Sequence, residues 1–482
     1  MRRQIVGVQY YVDPNGSDGS AGTSPKSAWS SFRNIGRVHP GDRLSLRRGG
    51  TWRETLSLPD GSARETTVID AYGDGARPVI DGTGRDFCVA AQHGQGHVVI
   101  RDLDLRRARS FGIYLTGGAH DIVVDSCALH DHGVCGYNAY MPDGTAPGLV
   151  VRRCEIYRNQ LGGLMASGRV DGMLIEGNRV FDNCLSDALA DYTAGIRVIS
   201  DEARRVAGVV AQANIVYGNG RGRSADRGYG IWYDTVGRDA VIRWNLCFAN
   251  NRAGIQYEFG GPDAHASIYG NIAHDNETGI SISRRTQTCL VTNNTCVRNQ
   301  TNFWLNADYP TDPVGMWRNT FRNNIGWNAH RFELRVTNGA ESSGDRQARN
   351  VFRRNCFGVE RPGFIEWGLG RTIGTYAALD RLCGAETASV AGDPRLEEGF
   401  SLAPGSPCIG AGEAADVVTG FGFAPFASPP DLGAVPYWGK RSLQLGPPFC
   451  GLSLDGGFAQ EFAVWTRALP LDDLERLTRK GT

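Results

Sequence analysis

Two short segments carry the side chains with the clearest chemical potential: GIWYD, ending at Asp234, and GIQYE, ending at Glu258. Each opens on a Gly, at 230 and 254, and ends on a carboxylate four residues later, so the two acids occupy equivalent positions 24 residues apart. In a strand of period 2, the first and third residues after each Gly turn to one face and the second and fourth to the other. Ile231, Tyr233, Ile255 and Tyr257 then face a core, while Trp232, Asp234, Gln256 and Glu258 face outward. If the segments are stacked neighbours, the carboxylates meet across one strand spacing of about 4.8 Å. Like charges placed opposite one another destabilise a sheet, so the placement needs a reason. Chemistry supplies one: two carboxyl groups about 5–5.5 Å apart can act on a glycosidic bond, one as nucleophile and the other first as acid and then as base. Mutual repulsion raises one pKa and keeps that group protonated near neutrality.

The elements that must position this pair recur along the chain. Short strands open at Gly112, Gly136, Gly163, Gly195, Gly230, Gly254 and Gly279, with Asn302 next in the same slot. Their outward positions form two columns. One runs Tyr114, Asn138, Met165, Arg197, Trp232, Gln256, Ser281, Trp304; the other runs Thr116, Tyr140, Ser167, Ile199, Asp234, Glu258, Ser283, Asn306. A second register, apolar-x-x-Asn, ends at Asn178, Asn214, Asn245, Asn271, Asn294, Asn324 and Asn355, with Asp102, Cys127 and Cys154 upstream. Its spacings of 25, 27, 24, 36, 31, 26, 23, 30 and 31 residues describe a solenoid whose coils accept insertions at one corner. Two strands per coil are expected, with an Asn column bonding side chain to backbone up the stack. The 64 glycines, about 13% of the 482 residues against a usual ~7%, are expected at corners that need positive φ or a small residue. The fold class read from this pattern is all-β: a right-handed parallel β-helix over residues 1–440, with an N-terminal cap, and a C-terminal appendage (strand plus short helix) over 441–482.

At this point the chain resembles the pectate-lyase-like superfamily of β-helical polysaccharide enzymes. YYVDPNGSDGSAGTSPKSAWSSFRNI, PGDRLSLRRGGTWRETLSL and AYGDGARPVIDG look like its N-terminal cap and first coils. FSLAPGSPCIGAGE and PDLGAVPYW look like its C-terminal ending, and the likeness covers roughly residues 8–440. GIWYD followed one coil later by GIQYE resembles the β-helical glycoside hydrolases, retaining β-xylosidases among them, where an Asp is the nucleophile and a Glu one coil later the acid/base. The resemblance implies those roles for Asp234 and Glu258. The final SLDGGFAQEFAVWTRALPLDDLERLTRKG weakly resembles the last strand and helix of laminin-G-like sandwiches but is far too short to be one; it reads as an amphipathic tail packed on the barrel.

Around the pair, the outward columns offer Trp232 and Trp304 as flat apolar faces and Tyr140, Gln256 and Arg197 as hydrogen-bonding groups. Asp187 and Asp191, in the insertion NCLSDALADYTAG, and Tyr229, beside YGNGRGRSADRGY, are expected to line the same groove, because the 36- and 31-residue spacings put the extra length beside the Asp234 coil. His265 follows Glu258, and Arg284 follows the Ser283 strand. The alternative is structural: Asp234 paired with Arg238, and Glu258 with another nearby Arg. His130 and His132, in ALHDHG, lack a further ligand pattern. The scheme therefore uses no metal and no cofactor, and its partner is a carbohydrate substrate. Among competing activities, a polysaccharide lyase or uronate epimerase needs a base and a cation to neutralise the uronate. No Lys lies between Lys26 and Lys440 to serve as that base, so Arg, His or Tyr would have to substitute, for example Arg197 with Tyr140. A non-catalytic carbohydrate-binding helix would have no use for paired carboxylates.

Composition excludes other classes. Acidic and basic residues balance at 51 each, without the basic excess that nucleic-acid binding requires. No run approaches 18 apolar residues. The N-terminus has too few apolar residues for the core of a signal peptide; a soluble protein is expected, either cytoplasmic or secreted or periplasmic with its leader removed. The 12 cysteines form no CxxC pair and are read as buried, reduced hydrophobes. Oligomeric state has no signature in the sequence.

Overall fold

The computed structural model describes residues 7–187, 192–220, 227–307, 315–337, 349–384, 387–414, 421, 428–435 and 437. The proposed tail over 441–482 lies outside the described residues. The chain winds as a right-handed parallel β-helix whose coils contribute to three sheets, of 13, 13 and 11 strands. The expectation of two strands per coil is corrected to three. One coil runs through Ala253–Glu258, Ser267–Tyr269 and Ile272–His274 before Thr278–Ser283 begins the next. The third strand leaves no period of its own because it has three residues and starts directly after the Asn corner.

Two Asn ladders flank the short third-sheet strands, one at each corner. From Asn178 to Asn355 each Nδ2 donates to the Oδ1 of the next coil's Asn at 2.9–3.0 Å. A second ladder, Asn159–Asn183–Asn219–Asn250–Asn276–Asn299–Asn302, is bonded at 2.8–3.1 Å. Its signal was present as a repeated N-x4-N, at 178/183, 214/219, 245/250, 271/276 and 294/299. In the first ladder's column Leu103, fully buried, takes the slot assigned to Asp102; Asp102 is the corner residue before it, at φ 61°. Equivalent corner residues precede each ladder Asn in the left-handed region, among them Ala213 (54°) and Trp244 (57°).

The strand-opening glycines are not among the positive-φ residues. Their requirement is close approach. A Cβ at Gly112 would stand 2.4 Å from the Gly136 carbonyl oxygen, one at Gly230 2.4 Å from that of Gly254, and one at Gly279 2.5 Å from that of Asn302. Asn302 fits the same slot by turning its side chain into the second ladder.

Fully buried residues fill the bore coil after coil; Ile231, Tyr233, Ile255, Tyr257, Ile280 and Ile282 are all at 0% exposure, as the alternation predicts. Outside the third sheet six rings stack at 4.7–5.1 Å, from His130 through Tyr157, Phe181, Tyr217 and Phe248 to His274. Phe400, Phe421, Ala434 and Val435 pack back over part of that face. The described cysteines are unpaired, and all but Cys383 are buried. Among the described residues no helix is long and apolar enough to cross a membrane.

Candidate active site

The Arg227–Asp234 and Ala253–Glu258 strands pair in parallel with Trp232 opposite Gln256 and Asp234 opposite Glu258. The preceding coil sets Arg197 beside Trp232, and the following coil sets Ser281 beside Gln256 and Ser283 beside Glu258. The outward columns thus lie in the register that period-2 reasoning gives, because any one-residue slip would turn the isoleucines out of the core.

Asp234 sits in a polar clasp. Arg197 Nη2 donates to Asp234 Oδ2 at 2.8 Å, and Thr235 Oγ1 donates to Oδ1 at 2.8 Å. Arg197 is itself fixed: its Nη1 donates to the Tyr192 carbonyl at 2.8 Å, and its guanidinium lies 4.2 Å from the centre of the Trp232 ring. Tyr229 packs on the same indole at 4.6 Å.

Glu258 is more enclosed, at 4% exposure. Its Oε1 accepts from Trp232 Nε1 at 3.0 Å, and its Oε2 accepts from Ser283 Oγ at 3.1 Å. Gln256 Nε2 donates to Ser283 Oγ at 2.7 Å, completing a chain. Arg284 Nη1 stands 3.7 Å from Glu258 Oε2, within ion-pair range but beyond a hydrogen bond. Burial, and then the charge of Asp234, push the Glu258 carboxyl above the usual carboxylate range, outweighing Arg284, Ser283 and Gln256. Sequence reasoning named repulsion as the cause; desolvation ranks ahead of it.

Several expected residues land differently. Trp232 is 3% exposed and covered by Arg197 and Tyr229, so it is no open platform for a sugar; it serves as donor to Glu258. Trp304 lies three coils beyond Trp232 in its column, with Arg335 at 4.4 Å over its ring and its Nε1 bonded to Thr337 at 3.0 Å. Tyr140, 47% exposed, lies three coils before Asp234. Along the axis Tyr140 is thus about 14 Å from Asp234, and Trp304, two coils past Glu258, about 10 Å from that carboxylate. Asp187 is exposed on its insertion, and Asp191 lies outside the described residues. His265 is exposed on the turn after Glu258, its backbone N–H donating to Thr288, and does not join the pair. His130 lies between Asp104 and Asp131, while His132 is buried and held neutral by desolvation, its pKa lowered to about 3. Arg238, the anticipated structural partner of Asp234, instead lines a cavity of about 220 Å³ with Arg205, Gly237 and Gly260, just beyond the ends of the two strands. Thr235, Tyr192 and Arg205 went unread, since none repeats with the coil.

The fold agrees with comparisons to known proteins. A family model described as a right handed beta helix region matches residues 89–296. Two solved structures extend the likeness over most of the chain. A pectate lyase, Pel9A, superposes with a TM-score of 0.50 at 18% identity, covering 90% of this chain and 97% of that one. XylC, solved in complex with xylose, superposes with a TM-score of 0.59 at 10% identity, covering 89% and 98%. No curated protein matches. At these identities the likeness establishes the right-handed parallel β-helix; activity has to be argued from the site.

Proposed function

We propose that this protein is a carbohydrate-acting enzyme, specifically a glycoside hydrolase that cleaves by retaining double displacement through Asp234 and Glu258. The observation that carries the reading is the electrostatic asymmetry of the pair. A carboxylate serving only a structural ion pair would have its proton affinity lowered by its arginine. Glu258 goes the other way, its proton affinity raised by burial and by its neighbour, while Asp234 has a guanidinium and a hydroxyl as counter-groups. An acid beside a charge-stabilised carboxylate is the division of labour that this chemistry requires. XylC's complex with xylose supports a sugar as ligand on this fold.

In the first step Glu258 donates its proton to the glycosidic oxygen as Asp234 Oδ attacks the anomeric carbon. The carbon–oxygen bond to the leaving group breaks, and a glycosyl ester forms on Asp234. In the second step Glu258, now ionised, takes a proton from water, the hydroxide oxygen attacks the same carbon, and the ester bond breaks with net retention. An acceptor sugar in place of water gives transglycosylation by the same route. The test is turnover of a panel of aryl glycosides and polysaccharides by wild type, Asp234→Ala and Glu258→Ala. Release of reducing sugar by wild type and its loss in both variants support the reading; full activity in Asp234→Ala would remove the nucleophile.

The arginines favour a second reading, a lyase or epimerase on an acidic glycan. Arg197 and Arg284 flank the carboxylates, and Arg205 and Arg238 line the adjoining cavity, where they would neutralise a uronate. Ultraviolet absorbance from an unsaturated uronate product would decide for the lyase.

A further inference from the structure

We propose that His97, His120 and Asp121 form a binding site for a divalent cation of the zinc class, a clip between two neighbouring coils and separate from the carboxylate pair. The ligand atoms of the three side chains all lie within 4.8 Å of one another. Tetrahedral zinc with bonds of about 2.0–2.1 Å holds its ligands roughly 3.3 Å apart, so small side-chain rotations close the site. His97 Nδ1 already stands 3.6 Å from Asp121 Oδ2, and the two imidazoles meet edge to face with centroids 5.2 Å apart.

The backbone holds the donors in place. The Gly96–Arg101 and His120–Asp125 strands pair with His120 opposite Gly96. His97 and Asp121, one residue further on, both adopt left-handed φ, 54° and 48°, which brings them side by side. The Asp121 N–H is anchored on the Pro147 carbonyl at 2.7 Å. Two features point to a ligand rather than to a chance surface cluster. His120 Nδ1 faces the Gly118 carbonyl at 3.1 Å; with the proton placed there, Nε2 keeps its lone pair, which is how ligating histidines are usually oriented. The donor atoms also sit where side chains are missing. A Cβ at Gly96 would come within 2.5 Å of His120 Nε2, and one at Gly148 within 2.0 Å of Asp121 Oδ1.

Two imidazoles and one carboxylate suit zinc and its transition-metal neighbours, whereas calcium and magnesium favour all-oxygen shells. Three protein ligands leave a fourth position for water. The clip lies four coils from Asp234, about 19 Å along the axis, so its effect falls on the stability of the N-terminal coils through linkage.

The test uses the full-length protein stripped with chelator and titrated with Zn2+ by calorimetry and with Co2+ by visible absorption. Wild type is expected to bind one equivalent, with a visible Co2+ spectrum of low coordination number and a rise in thermal midpoint. His97→Gln and His120→Gln are each expected to weaken Zn2+ binding by more than the ~100-fold that outer-shell changes reach, with His330→Gln unchanged. Asp121→Asn repeats the test with both imidazoles intact, and far-ultraviolet dichroism of the stripped variants checks folding. Wild-type affinity retained in both His variants, no stoichiometric Zn2+ binding, or preferential uptake of Ca2+ would overturn the site.

Discussion

Replacing Glu258 with Gln separates a catalytic carboxyl from a structural one by the sign of a stability change. In the folded protein this group binds its proton more tightly than the ordinary Glu of the unfolded chain, because burial and Asp234 oppose its charge. The folded state therefore holds more protons than the unfolded state over the interval between the two pKa values. Stability falls as pH rises through that interval, and the penalty is complete only above the folded-state pKa. Each tenfold of excess proton affinity costs about 1.4 kcal/mol. The amide introduced by Glu258→Gln does not titrate, and the contacts survive: the amide oxygen accepts from Trp232 Nε1, and the amide nitrogen faces Ser283 Oγ, which can accept. The 3.4 Å approach of Gln256 Nε2 and the 3.7 Å approach of Arg284 Nη1 become unfavourable. The net expectation is that the variant is more stable than wild type at pH ~7.5 by about 0.5–2 kcal/mol, the usual gain when an active-site cost is removed. The gap should shrink toward zero near pH ~4, where Glu258 is protonated in both states. Urea-unfolding midpoints of the two proteins at both pH values make the comparison. A variant less stable at neutral pH, as loss of a structural ion pair with Arg284 would produce, refutes the reasoning, and so does a gap indifferent to pH.

Other perturbations probe the scaffold beneath the site. Asn245→Ala strands the Asn214 N–H, one hydrogen of Asn214 Nδ2 and the Ala211 carbonyl inside the ladder, while Asn271 Oδ1 keeps the backbone N–H of residue 245. At about 1–3 kcal/mol for each unmet group, partly relieved by relaxation, calorimetry should register a loss of about 3–5 kcal/mol. Gly230→Ala places a Cβ 2.4 Å from the Gly254 carbonyl oxygen; about 1–3 kcal/mol of overpacking is expected, with reduced turnover because the clash separates the two coils that carry the carboxylates. Gly36→Ala, with nothing within 4 Å and no positive φ, should change stability by less than about 0.5 kcal/mol.

The strand register was legible because inward and outward residues alternate strictly around Ile231, Tyr233, Ile255 and Tyr257, and each segment begins on a Gly. That sufficed to place Asp234 opposite Glu258. What stayed hidden depends on side-chain reach or on elements too short to show a period. Arg197 was readable as a column neighbour of Trp232, but its turn toward Asp234, 37 residues away, follows from the indole and the Tyr192 carbonyl that hold it. Trp232 looked like an exposed aromatic because its position faces outward; outward here means beneath Arg197 and Tyr229. Of the two reasons for a corner Gly, positive φ or small size, Gly112, Gly230 and Gly279 answer to the second: the constraint is the carbonyl of the next coil, which only a folded backbone displays.

A covalent glycosyl ester on Asp234 is open to one direct measurement. Wild type would be incubated with the 2-deoxy-2-fluoro dinitrophenyl form of the glycoside it turns over fastest, then digested and analysed by mass spectrometry. A fluoroglycosyl adduct is expected on the peptide containing Asp234, absent in Asp234→Ala and accumulating more slowly in Glu258→Ala only when the leaving group needs protonation. An adduct on another residue, or hydrolysis with inverted product and no adduct, would contradict it.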